Sequence, residues 1–119
     1  MPDLSPEAKE RARRTVVVAE VFGANAELIA AAVAEVPDQH VLVAVVDREH
    51  EFAGTHAVAK ADLVATVPSL EGEGGWAMVF SPGADVDHVR RRTAEMASIA
   101  QQRIDAIERI LDRQVNQPE

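Results

Sequence analysis

Four histidines, His40, His50, His56 and His88, are the side chains best suited to chemistry in this sequence. Two of them fall on one candidate hairpin. A pairing that sets Asp47 opposite His50 also sets Val41 opposite His56 and leaves His40 diagonally across from His56, within reach of a shared metal or ligand. A third ligand at diagnostic spacing is missing, and the sequence has no His-Glu-x-x-His pattern. His50 and His56 share a face, but strand rise separates them by roughly 20 Å, too far to chelate together. The expectation is therefore no metal and no cofactor, with His40 and His56 as the residues to watch.

Other constellations are weaker. Arg90, Arg91 and Arg92 sit early in a candidate helix, where the macrodipole disfavours cations. They suggest an anion or acidic-partner site; ordinary ion pairing with Asp87 and Glu95 is the plainer reading. The loop around Glu71, Gly72, Glu73, Gly74 and Gly75 has the composition of a lid or cation site. It is too acidic to cradle phosphate and no Lys-Ser/Thr follows it, so a solvated hairpin loop is expected. Ser5, Ser69, Ser81 and Ser98 fall at caps, turns or mid-helix, without a nucleophile-elbow pattern. The chain has no cysteine, which removes disulfides, thiolate zinc sites and a cysteine nucleophile. These readings lean away from an enzyme.

The elements that would position these groups can be read from periodicity. The 119 residues fit one α+β domain, 1–119, with ends expected to fray at about 1–4 and 116–119. From Ser5, a plausible N-cap, to about Val36, apolar or small residues recur at Ala8, Ala12, Thr15, Ala19, Phe22, Ala26, Ile29 and Val33. That stripe predicts one long helix, kinked near Gly23. The β-branched run Thr15–Val18 leaves a strand at 15–22 open as the alternative. Val41–Val46 reads as a central strand buried on both faces. Asp47–His50 forms a turn, and Glu51–Val58 is the hairpin partner with Phe52, Gly54, His56 and Val58 on one face. Residues 57–67 read equally as a strand or a short helix, Pro68–Gly75 as a loop, and Trp76–Phe80 as a strand. From Asp85, a fair N-cap, to about Val115 the clearest stripe in the chain predicts a second long helix. The expected architecture is a long N-terminal helix, a small antiparallel sheet of three or four strands, and a long C-terminal helix, with the helices packed on one face of the sheet.

A helix of about 30 residues is roughly 45 Å long and overhangs strands of roughly 23 Å. The stripe continues through the overhang at Ile104, Ile107, Leu111 and Val115, which the first helix or a second copy must bury. With Trp76 as a further anchor, these residues mark an expected homodimer interface. Four meandering strands would make the helices antiparallel and match Arg11, Arg13 and Arg14 to Asp105, Glu108 and Asp112, and Arg90–Arg92 to Glu27 and Glu35. Three would make them parallel.

Val41-Leu-Val-Ala-Val-Val-Asp47 followed by Phe52-Ala-Gly54 resembles the opening hairpin of profilin-like sensory and Roadblock-type modules. Ala77-Met-Val-Phe-Ser-Pro-Gly-Ala-Asp85 leading into Val89-Arg90 resembles the last strand and helix start of Roadblock-type domains. The resemblance covers about a quarter of the chain, and the stretch from Val58 to Trp76 is short for a full Roadblock middle segment. It implies a dimeric scaffold or regulator of small GTPases.

Net charge is −8, which disfavours nucleic acid as a partner. No apolar run approaches the ~20 residues that span a bilayer, and Met1–Lys9 carries no signal core, so a cytoplasmic protein without a membrane partner is expected. Together these readings predict a non-catalytic homodimeric interaction or regulatory module. The alternatives are a small-molecule or metal-binding sensor and, behind it, a small enzyme with its site at a dimer interface.

Overall fold

The computed structural model describes residues 6–116, with side chains as far as residue 113. Ser5 and most of the ends expected to fray lie outside the described residues. The chain forms α1 (Pro6–Ala24), α2 (Ala26–Ala34), β1 (His40–Val46), β2 (Phe52–Ala59), a 3-10 turn (Lys60–Asp62), α3 (Leu63–Glu71), β3 (Trp76–Phe80) and α4 (Val86–Asn116). The fold is α+β, with an antiparallel sheet ordered β2-β1-β3.

Residues 15–22 are helical, so the strand alternative falls. The helical stripe does run on across Gly23, burying Ala19, Phe22, Ala26, Ile29 and Val33. Its two halves are nonetheless separate helices, bent by 62°. Asn25 sits at the break, where its side-chain Nδ2 donates to the Val21 carbonyl (2.8 Å) while its backbone N–H leaves the i−4 ladder for the Phe22 carbonyl (3.1 Å). Gly23 lies against α4: a Cβ there would come 3.1 Å from Thr93 Oγ1. Among the described residues, no single helix is long and apolar enough to cross a membrane.

β1 is the central strand expected, buried from Val41 to Val46. Leu42, Ala44 and Val46 face the long helices and join Val18, Phe22, Ile29, Val33, Met78, Phe80 and Val89 in the larger core. Val43 and Val45 face the other way and pack with Val58, Leu63, Val67 and Leu70. The long helices thus share one face, and α3 covers the opposite one. Residues 57–67, left open between strand and helix, divide between the end of β2 and the start of α3. The helix then runs through Pro68 to Glu71, so only Gly72–Gly75 remains as connection, leading from a helix rather than around a hairpin. Pro68 is tolerated because the carbonyl its missing N–H leaves without an i+4 donor belongs to Val64, a residue 90% exposed and so open to solvent.

The hairpin register differs from expectation by two residues. Val41 pairs with Val58 and Val43 with His56. The loop takes one extra residue: Asp47 N–H donates to the Glu51 carbonyl, and Asp47 Oδ1 accepts from the amides of Glu49 (2.9 Å) and Glu51 (3.1 Å). A bulge takes the other, since Val46 pairs with Phe52 but Val45 with Gly54. Gly54 adopts φ 111°, a conformation that favours glycine. The bulge also reverses the side-chain parity, so Phe52 packs with the helix-side core while Val58 packs under α3. Asp47→Ala removes the acceptor of two amide hydrogen bonds and is expected to cost about 1–2 kcal/mol. Urea denaturation should show a lower midpoint with an unchanged slope; an unchanged midpoint would mean that the loop does not depend on this carboxylate.

The sheet has three strands, yet α1 and α4 run antiparallel. Lys9 and Arg13 reach Glu108 at 3.1 and 3.8 Å, and Arg90 reaches Glu27 at 3.5 Å. The reason is topological. α3 carries the chain back before β3 begins, so β3 runs parallel to β2 and antiparallel to β1, the direction that a fourth strand of a meander would have had.

Candidate functional site

A concavity lies along the free edge of β3. β3 is an edge strand, Trp76-Ala-Met-Val-Phe80, with no charge and no proline in it. A strand of that composition at a sheet edge is an association hazard unless something covers it. α4 starts just beyond it, after Asp85 Oδ1 accepts the His88 amide (2.8 Å) and caps the helix as expected. α4 packs mainly on α1 and α2. A groove of about 770 Å³ is left between α4 and β3, with α1 also lining it.

The groove is apolar at its base, where Ala12, Met78, Met96 and Ala100 meet. Its outer wall is the α4 stripe Arg92, Glu95, Ile99 and Arg103, and Arg11 of α1 stands at the far side. Ile99, on this wall, is 61% exposed. Arg92 is fixed in place: its guanidinium lies 4.8 Å over the Phe80 ring, and Nη1 donates to the Val79 carbonyl. One acceptor of the edge strand is therefore already taken by the chain itself.

At the lower end of β3, Trp76 is half-buried. The Arg14 guanidinium stacks 4.7 Å over it, and the His50 ring lies 5.6 Å away at a tilt of 38°. His50 takes φ 65° in the loop, and its Nε2 is buried without a hydrogen-bond partner. Gly75 precedes Trp76 where β3 passes close to the end of α3.

The residues singled out from sequence are dispersed. His40 pairs with Ala59 and His56 with Val43, three residues along β1, which puts the two histidines on opposite faces of the sheet. The two-residue change of register lengthens their offset along β1 from one residue to three, and because an odd offset puts the side chains on opposite faces in either register, the diagonal contact is not made. His40 Nδ1 instead donates to the Asp38 carbonyl (2.8 Å). Among the described residues, no three His, Asp or Glu side chains converge as a metal site. Arg90, Arg91 and Arg92 do not act together: Arg90 pairs with Glu27, Arg91 is exposed, and Arg92 turns to β3. Ile104 and Ile107 are buried, the latter to 2% exposure, alongside Ala8 and Ala12 where α1 runs antiparallel to α4. Of the two ways to cover them, the intramolecular one is therefore used. Leu111 is more exposed, and Val115 lies beyond the described side chains.

Sequence reasoning did not find the groove. Its lining comes from three segments, and only Ile99, an apolar residue set off the main stripe of α4, carried any local signal.

The chain matches no protein-family model, no curated protein and no solved structure.

Proposed function

We propose that this chain is a non-catalytic homodimeric interaction or regulatory module acting in the cytoplasm. The observation that supports this reading is the open, apolar-based groove beside the uncharged β3 edge, with Ile99 left 61% exposed on its wall. The buried part of the α4 stripe is spent inside the chain, and the groove adds apolar surface at its base and at Ile99 that a partner would cover. The arginines at its rim stand on a protein of net charge −8, which suits an acidic surface such as a second copy presents.

Sedimentation velocity across a concentration series tests this. A dimer at roughly a hundred micromolar, dissociating on dilution, is the expected result. A protein that stays monomeric at that concentration excludes the homodimer. The groove is also within the size range of small-molecule sites, so native mass spectrometry of the same sample should show the bare dimer. A retained small molecule would put the sensor reading first.

A further inference from the structure

The groove wall is self-complementary, and this inference rests on the dimeric reading above. On α4, Glu95 and Arg103 stand four residues before and four residues after Ile99. All three are exposed and line the same groove. In a two-fold interface, any residue that faces another in the partner is faced by it in return. If two α4 helices cross antiparallel with Ile99 on the axis, Glu95 of each copy falls opposite Arg103 of the other. The same register sets Arg92 opposite Ala106, a small half-buried residue that leaves room for the arginine stem. Glu95, the carboxylate of the groove wall, thereby meets a guanidinium on both sides of the axis, while the two Ile99 side chains pack on each other at the axis itself.

The alternative occupant, an added β-strand, is disfavoured by Arg92. It donates to the Val79 carbonyl and so occupies part of the edge that a strand would need. A helix face makes no such demand. We infer that the groove is the site of self-association, through an antiparallel α4–α4 contact centred on Ile99 and held in register by reciprocal Glu95–Arg103 pairs.

Charge reversal tests the register directly. Glu95→Arg sets two arginines against each other on both sides of the axis, and Arg103→Glu does the same with glutamates. Each single variant is expected to weaken the dimer at least tenfold by sedimentation equilibrium, because like charges brought together at an interface are strongly unfavourable. The double variant Glu95→Arg/Arg103→Glu should recover most of the loss. Ile99→Asp should dissociate the dimer without recovery by either charge change. These side chains are exposed, so far-UV circular dichroism and melting temperature should stay close to wild type and separate dissociation from unfolding. Single variants that dimerise like wild type, or a double variant no better than the singles, overturn the α4–α4 register while leaving the dimer itself standing. A monomeric wild type overturns both.

Discussion

Phe22→Ala is expected to leave the protein close to its folding limit. Phe22 is fully buried in the last turns of α1, just before the 62° bend, and shares the helix-side core with Val18, Ile29, Phe80 and Val89. The chain has few large side chains to close around a hole: its aromatics other than histidine are three phenylalanines and one tryptophan, and much of the remaining core is Ala and Val. Small neighbours relax poorly into a cavity, so the upper part of the usual range applies, about 3–5 kcal/mol. Against a total stability of about 5–15 kcal/mol, such a loss is large. Thermal denaturation should fall by roughly 10–20 °C. A shift of only a few degrees would mean that the α1–α2 bend, rather than this ring, organises the core.

The second large effect should come from Gly75→Ala, although it adds only one methyl group. An added Cβ would sit 2.2 Å from the Glu71 carbonyl oxygen and 3.0 Å from that of Val46. Both obstacles are backbone, one at the end of α3 and one at the end of β1, so no rotamer change relieves the clash. The chain must move β3 away from β1 or unwind the last turn of α3. A cost of about 3 kcal/mol is expected, at the high end for overpacking. Gly72→Ala is the useful comparison: there no heavy atom lies within 4 Å of the new Cβ, and only its φ of 60° opposes the change. If the two variants melt alike, the close approach at Gly75 is not what holds this corner.

The elements legible in the sequence were those encoded by short-range pattern. The α4 stripe, the six-residue apolar core of β1 and the Asp85 and Asp47 side-chain caps are local and appear where expected. What stayed hidden depends on partners far away in sequence. The bulge at Ala53 leaves no distinctive residue other than Gly54, yet it moves Phe52 to the opposite face and parts His40 from His56. The helix α3 is written in residues such as Val64, Thr66 and Val67 that suit a strand as well, and the apolar underside of the sheet decides the matter. Direction was hidden too: only once α3 is known to be a crossover does a three-stranded sheet yield antiparallel helices. The groove is the extreme case, since α1, β3 and α4 supply its walls from segments some 65 to 90 residues apart at the extremes.

The antiparallel closure of α1 on α4 has a consequence for biosynthesis. Lys9 and Glu108 are ion-paired at 3.1 Å, so α1 finds this partner only when α4 emerges. At about 5–20 residues per second, α1 waits roughly 5–20 s with Ala8 and Ala12, the part of its apolar face that lies against α4, uncovered. The nascent chain cannot complete its core in stages from the N-terminus. During that interval it offers a helical apolar surface to whatever is near the ribosome, and a chain cut short before α4 would keep that surface exposed. A copy that has made α4 thus differs from one that has not in the state of a single helix face.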